Sequence, residues 1–332
     1  MKTPAFWQSP RDPRSLLLAP LGWLWCSIAR RRLLAYRTGG KHAERLPVPV
    51  IVIGNITAGG SGKTPLTLWL ARRLQAAGWH PAVISRGYGG RIEGAPRRVR
   101  VDSPAAEVGD EPLLLKRRLG DELEVIVHPR RVLAGRMALG LGADVLLLDD
   151  GLQHLALERD LEIAVLDGER GIGNGRCLPA GPLREPAARL AEVDAVVVQG
   201  GQPGAGQWGM RLVPGDAVNL IDGSRRPLSD FIGLPCDALA GIGHPERFFA
   251  MLRGLGLTIE GHSFADHHAF TAADLAPFRV RPLLMTEKDA VKCQSQARPN
   301  HWYVPVEADV DEGLAEFIQS RLESFRDGQT PA

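Results

Sequence analysis

Four cysteines in 332 residues, Cys26, Cys177, Cys236 and Cys293, stand too far apart for a C-x-x-C pair or any zinc-ligand spacing. This excludes a cysteine-held metal cluster. The expectation is a reducing compartment, with each thiol a small, at least partly buried side chain rather than a nucleophile. Charge of one sign is scarce too, since 40 Lys and Arg against 38 Asp and Glu leave +2. A nucleic-acid binder working through bulk electrostatics is thereby excluded, and any basic function must be local. The apolar run at residues 16–29 spans fourteen positions, short of the roughly 20 a membrane-crossing helix needs. With 38 Gly, 25 Pro and 44 % hydrophobic residues, global disorder is excluded as well.

What is present is length for two domains, each able to bury its own core. Between positions 13 and 43 there is no acidic residue, while Arg14, Arg30, Arg31, Arg32, Arg37 and Lys41 make a basic patch around the apolar run. Three readings compete for this segment. A signal peptide would have to be cleaved beside Arg30-Arg31-Arg32, which disfavours it. An interfacial helix would set Trp23 and Trp25 at headgroup depth with the arginines on anionic lipid. An amphipathic helix packed on its own domain is the plain alternative. The membrane reading is preferred, and the phosphate-binding motif downstream argues for the cytoplasmic side.

Residues 48–56, Val-Pro-Val-Ile-Val-Ile-Gly-Asn-Ile, form an apolar, β-branched run expected of a strand buried on both faces. Next come Thr57-Ala58-Gly59-Gly60-Ser61-Gly62-Lys63-Thr64 and a helix whose apolar face includes Leu66, Leu70 and Leu74. Strand, glycine-rich loop and helix in this order predict a P-loop. Backbone N–H groups would wrap phosphate oxygens, Lys63 would reach the β and γ phosphates, and Thr64 would offer its hydroxyl to Mg2+. The usual motif has Gly where Thr57 stands, and a glycine-rich turn with an exposed lysine is the alternative. A second buried run, Val145-Leu146-Leu147-Leu148-Asp149-Asp150, ends in two carboxylates as a Walker B strand does, although paired aspartates can also cap a turn. Runs at 82–85, 123–127, 163–166 and 195–198 alternate with helical segments, which predicts a predominantly parallel sheet flanked by helices. Thr286-Glu287-Lys288-Asp289 has the wrong spacing for guanine reading, so ATP is the preferred nucleotide. Ala58 stands where membrane-associated switch ATPases carry an additional lysine, which removes support from a partition-type switch.

Phosphoryl transfer also needs a carboxylate to take the acceptor's proton. Asp110, in Val108-Gly109-Asp110-Glu111-Pro112, is a candidate, although spacing alone favours a helix N-cap. The stretch 261–268 holds His262, His267 and His268, which suits proton handling better than a metal site, or else a solvated polar loop. Loops at 85–90, 128–131 and 178–186 are rich in Arg, Gly or Pro and suit an anionic acceptor, with about half their arginines expected to be bystanders.

Taken together, residues 54–65, 85–90, 108–112, Asp149-Asp150-Gly151-Leu152-Gln153-His154, 178–186, Asp266-His267 and 286–292 make the chain resemble the tetraacyldisaccharide 4'-kinases, the lipid A 4'-kinase family of Gram-negative bacteria. The resemblance covers nearly the whole chain, and the family's Thr at the first loop position accounts for Thr57. It implies ATP-dependent, Mg2+-supported phosphorylation of the 4'-hydroxyl of tetraacyldisaccharide 1-phosphate. The implied location is the cytoplasmic face of the inner membrane, peripheral or monotopic through the amino-terminal segment, with no protein partner inferred. It implies Asp110 as the activating carboxylate, assisted by His267, which displaces the N-cap reading. Asp149 and Asp150 would support the metal, with Glu111, Gln153 and Glu185 weaker candidates near metal or nucleotide. Arg130, Arg184 and Tyr88 are the implied substrate contacts.

The family fold implies a larger P-loop domain and a smaller α/β domain with the active site between them. Residues 1–46 would be a membrane-associated part of the first domain, 47–215 the nucleotide-binding core, and 216–332 the smaller domain. Closure of the two would then assemble Asp110 with His267 and exclude water. A membrane-associated P-loop ATPase switch without a phosphoacceptor, or a nucleotide-binding module without turnover, are the alternatives.

Overall fold

The computed structural model describes residues 4–326. In chain order its first part contains α1 (Pro13–Arg37), β1 (Val50–Gly54), α2 (Lys63–Ala76), β2 (Pro81–Ser85), β3 (Arg97–Arg98), α3 (Ala105–Val108), α4 (Asp110–Leu119) and β4 (Glu124–Val127). It continues through α5 (Arg131–Gly140), β5 (Val145–Asp149), β6 (Leu161–Asp167), β7 (Ala195–Gln199) and β8 (Trp208–Pro214). All five residues of β1 are buried, as its unbroken apolar run requires, and β1 lies parallel between β5 and β6. Side chains alternate along it, so Ile51 and Ile53 join a core with α2 and α4, while Val50 and Val52 face the core beneath α5. The strands from β4 through β8 run parallel.

A second sheet is built from β9 (Ala217–Asn219), β10 (Arg225–Arg226), β11 (Pro235–Ala240), β12 (Thr258–Ser263), β13 (Leu283–Thr286) and β14 (His301–Val304). Helices α6 (Pro245–Gly254), α7 (Ala272–Leu275) and α8 (Glu287–Cys293) lie between these strands in sequence. The six strands are ordered β10-β9-β14-β13-β11-β12. The chain then leaves this sheet. Strand β15 (Val306–Val310) pairs antiparallel with β8, and α9 (Glu312–Arg326) sends Leu314, Ile318 and Leu322 into the first core. The large sheet therefore has nine strands, in the order β15-β8-β7-β6-β1-β5-β2-β4-β3. Residues 216–332 do not all stay with the smaller sheet, because the chain crosses back at Pro305.

Helix α1 is capped by Asp12, which accepts from the Arg14 N–H, and carries an internal Pro20. It rests on the rest of the chain along a narrow stripe of Ser15, Gly22 and Cys26. Ser15 Oγ donates to the Ala180 carbonyl at 2.8 Å, and a Cβ on Gly22 would lie 2.8 Å from the Cys177 carbonyl oxygen. Cys26 and Cys177 are joined in a disulfide across 151 positions, with Cα atoms 5.8 Å apart. The expectation of four separate thiols is corrected by this pair. Sequence separation hid a pairing that the docking of α1 brings about, while Cys236 and Cys293 are free and buried as expected. The other side of α1 exposes Leu17, Trp23, Leu24 and Ile28. Among the described residues, no helix is long and apolar enough to cross a membrane.

Candidate active site

Strand β1 ends at the edge of a cavity of about 1520 Å³, and residues 55–62 connect it to α2. Gly59 and Gly62 have φ of 107° and 90°, where a side chain is strained, and a Cβ on Gly62 would meet Met210 at 2.9 Å. Thr57 instead makes an antiparallel bridge to Leu183, and the Ala58 N–H donates to the Pro182 carbonyl at 2.8 Å. An extended bridge residue has no need of glycine, which is the local reason threonine is accepted at this position. Arg170 holds the Gly60 carbonyl, and the buried Ser61 hydroxyl has no protein partner among the described residues. Gly59, Gly60, Gly62, Lys63 and Thr64 all line the cavity.

Behind the loop, β5 ends on Asp149, and Asp150 follows it in the turn. Asp149 is 2 % exposed and accepts from Thr67 Oγ1 at 3.1 Å. Its pKa is pushed up to about 7, first by burial and then by the neighbouring Glu111 and Asp150 charges. Asp150 goes the other way. Burial would raise it, but Lys63, Arg184 and Arg131 outweigh that and hold it down at about 2. Lys63 Nζ is 3.5 Å from Asp150 Oδ1, and Arg184 Nη1 donates to the same oxygen at 3.2 Å. Asp150 sits at φ 50°, a conformation that costs a non-glycine residue energy and is kept where the surroundings impose it.

Across the cavity, Gly109 rather than Asp110 occupies the N-cap of α4, and no side chain caps that helix. Asp110 begins the helix with its carboxylate free to act elsewhere. Asp110 Oδ2 lies 3.0 Å from His267 Nδ1, bringing together a helix of the larger unit and the loop after β12 of the smaller one. Burial would raise the Asp110 pKa, but the His267 hydrogen bond and the Lys292 charge bring it below the usual carboxylate value. His267 itself has φ 59°, and the Tyr88 ring lies 5.2 Å from its imidazole. Tyr88, Glu111, His267 and Lys288 form the cavity wall here, and Asp110 is held behind it, 9 % exposed.

The remaining expected residues fall in two groups. Glu185 lines the cavity, buried, accepting from Gln153 Nε2 at 2.6 Å and paired with Arg189 at 3.3 Å. Arg184 also lines it, but Arg130 is exposed and does not. Its neighbour Arg131 lines it instead, buried, donating from Nη2 to the Asp150 carbonyl at 2.8 Å. Burial pulls the Arg131 pKa down to about 10. Sequence reasoning also left Lys288 and Arg247 without roles. Arg247, from α6, donates to Gln199 Oε1 at 2.7 Å and Asp167 Oδ1 at 2.9 Å, pinning the smaller unit to the ends of β7 and β6.

The family model described as Tetraacyldisaccharide-1-P 4'-kinase matches residues 14–323, including both walls of the cavity. The chain belongs to this 4'-kinase family. Among its relatives, the tetraacyldisaccharide 4'-kinase of Alkalilimnicola ehrlichii is 50 % identical over 320 residues, covering 96 % of each chain. That of Methylobacillus flagellatus is 48 % identical over 310 residues, covering 92 % of each. The solved structure of LpxK from Aquifex aeolicus in complex with ATP is 29 % identical, with a TM-score of 0.79 over 93 % of this chain and 99 % of that one. This chain thus shares its α/β fold with that structure along nearly its full length.

Proposed function

We propose that this protein transfers the γ-phosphoryl group of ATP to the 4'-hydroxyl of tetraacyldisaccharide 1-phosphate, a step of lipid A biosynthesis, at the cytoplasmic face of the inner membrane. The family match across residues 14–323 carries this reading. The geometry supports it by setting a phosphate-binding type of loop and the His267 imidazole on one cavity, with Asp110 hydrogen-bonded to that imidazole just behind the wall.

In this reading residues 57–64 act as a P-loop, with backbone N–H groups and Lys63 on the nucleotide phosphates. The donor set fits a hard divalent cation, since Asp149 is a buried carboxyl raised by its acidic neighbours and lines the same cavity as Asp150 and Thr64. Those three residues would hold Mg2+, which when bound neutralises phosphate charge. Glu111, which accepts from Lys288, and Glu185, which accepts from Gln153 beside Arg189, remain the weaker candidates for that set. Asp110 takes the proton of the 4'-hydroxyl, whose oxygen forms a bond to the γ-phosphorus as the bond to the β–γ bridging oxygen breaks. His267 donates to Asp110 and orients it. Arg131, Arg184 and Tyr88 face the anionic disaccharide, and Trp25 and Ile28 of α1 extend the same cavity wall toward the acyl chains.

The test supplies γ-labelled ATP, Mg2+ and detergent-dispersed tetraacyldisaccharide 1-phosphate to the wild type and to Asp110→Ala. Label is expected in the lipid, with the rate falling ~10²–10⁴-fold in the variant. Label only in free phosphate would overturn the reading in favour of an ATPase switch.

A further inference from the structure

A second cavity, of about 470 Å³, lies at the C-terminal end of α1, between Leu33, Tyr36 and Arg37 of the helix and the chain from Leu155 to Glu162. Its lining shares only Leu155 with the larger cavity, and the transfer reaction as proposed gives it no part. Four permanent cations line it, Arg37, Lys41, Arg159 and Arg189, against two carboxylates, Glu158 and Glu162. Both carboxylates are already taken up by arginines. Glu158 pairs with Arg45 at 3.4 Å, while Glu162 accepts from Arg159 Nη1 at 2.9 Å and from Arg189 Nη2. Arg159 spends its other donors on backbone carbonyls, and Arg37 is paired with Glu192 at 2.9 Å.

Two cations keep donors to spare. Arg189 is 2 % exposed, yet its buried Nη1 has no hydrogen-bond partner among the described residues, and Glu192 Oε2 stands 4.0 Å from it. No carboxylate pairs with Lys41 among the described residues, and its ammonium stands 5.9 Å from the Tyr36 ring. A buried donor without an acceptor is costly, and phosphate oxygens accept from guanidinium and ammonium in strong, charge-assisted hydrogen bonds. The setting says which phosphate this is. The cavity belongs to the helix that exposes Leu17, Trp23, Leu24, Ile28 and Leu34 and carries Arg30, Arg31 and Arg32, with no acidic residue between positions 13 and 43. A helix lying in the interface plane keeps both its ends at headgroup depth, so Lys41, just past the last turn, lies there too. A free phosphate would use only the cationic side, whereas Leu33, Tyr36 and Leu155 give the cavity an apolar wall that suits a lipid's glycerol and first methylenes.

We propose that this cavity binds the headgroup of an anionic membrane phospholipid, at a site separate from that of the phosphoacceptor. Arg189 and Lys41 hold the lipid phosphate, and Leu33 and Tyr36 take its glycerol. This rests on α1 as the lipid-facing element of the protein.

The experiment titrates full-length protein with a short-chain phosphatidylglycerol kept monomeric, below its micelle concentration, and reads binding by calorimetry and native mass spectrometry. One lipid per chain is expected. Its affinity should fall about tenfold in Lys41→Glu and stay within about twofold of wild type in Arg31→Glu, which makes the same charge change on α1 outside the cavity. Short-chain phosphatidylcholine should bind about tenfold more weakly or worse, and inorganic phosphate at the same concentration should not displace the lipid. An affinity unchanged in Lys41→Glu, or lost equally in Arg31→Glu, overturns the site. Equal binding of phosphatidylcholine overturns it without recourse to any variant, and displacement by inorganic phosphate overturns the lipid as its occupant. In neutral detergent, Lys41→Glu should keep its KM for tetraacyldisaccharide 1-phosphate within about twofold of wild type. A KM raised about tenfold would make the cavity part of the phosphoacceptor site and overturn the inference. Because the probe is a monomer, loss of vesicle binding in α1 variants or absence of phosphoryl transfer would strike those readings and not this one.

Discussion

His154 shows how a single side chain beside the cavity imposes a pH dependence on the fold. Burial, followed by the charges of Arg131 and Arg159, lowers its pKa from 6.5 to about 4, and its Nε2 is buried without a partner among the described residues. The folded state therefore holds it neutral while the unfolded chain takes up a proton below about 6.5. Between those values the unfolded state binds more protons, so this contribution to stability falls as pH drops from 6.5 toward 4. Asp149, raised to about 7, acts with the opposite sign over much of the same range, because there the folded state holds the extra proton. The two are separated by a difference measurement. His154→Gln is expected to lose less of its thermal midpoint than wild type between pH 7 and pH 4.5, with the two curves parallel above pH 7. A variant curve as steep as wild type in the acid range would contradict the assignment.

Legibility at this scale tracked local chemistry. That Lys63, Asp149 and Asp150 share one cavity could be anticipated because a glycine-rich turn and a buried strand end each constrain the residues beside them. Arg131 could not be distinguished from Arg130, since the choice depends on where α5 starts and which way its first turn faces. Lys288 stood inside a recognised motif without a visible role. Its partners Glu111 and His267 are 177 and 21 positions away, and only the meeting of α4 with α8 brings them together.

Among the elements, α1 carries the largest departure from a self-contained globular surface. Only Ser15 and Gly22 of its 25 residues are buried. Trp25 Nε1 donates to the Arg184 carbonyl at 3.0 Å, so the helix that faces outward with Leu17 and Trp23 also touches the loop that holds Asp150. Burying one such side chain in an apolar environment is worth roughly 1.5–3 kcal/mol. Leu17→Lys and Trp23→Lys are each expected to weaken binding to anionic lipid vesicles about tenfold or more, read by co-sedimentation, because neither packs against the rest of the chain. Equal binding by both variants would remove α1 as the lipid-facing element. The sequence showed the apolar run and its arginines, but not that Gly22 and Cys26 share one docking stripe, since that depends on the loop it meets.

At the scale of the whole molecule, the strands buried on both faces announced the large sheet, but nothing local to β15 pointed to its partner. Its β8 neighbour lies nearly a hundred positions earlier, and the alternating exposure of β15 fits any sheet edge. The segment is nonetheless structural for the nucleotide side. Val310, Leu314, Ile318 and Leu322 are all buried in the first core. At about 1.5–3 kcal/mol each they contribute an amount comparable to the ~5–15 kcal/mol that holds a domain together. Removing residues 306–332 is expected to abolish the cooperative melting transition of the entire chain, monitored by circular dichroism, and not merely to trim a tail. A truncated protein that melts like the full chain would refute this dependence.

The two crossings between the units also sit side by side. Pro214 pairs with Val306, and the Gly215 N–H donates to the Pro305 carbonyl at 2.9 Å. A door hung on a single cord can swing, twist and slide; one mounted on two bonded cords keeps a single easy direction. Were the two units to part, a bend about the line through Gly215 and Pro305 is the motion that would leave this bonded pair of crossings intact.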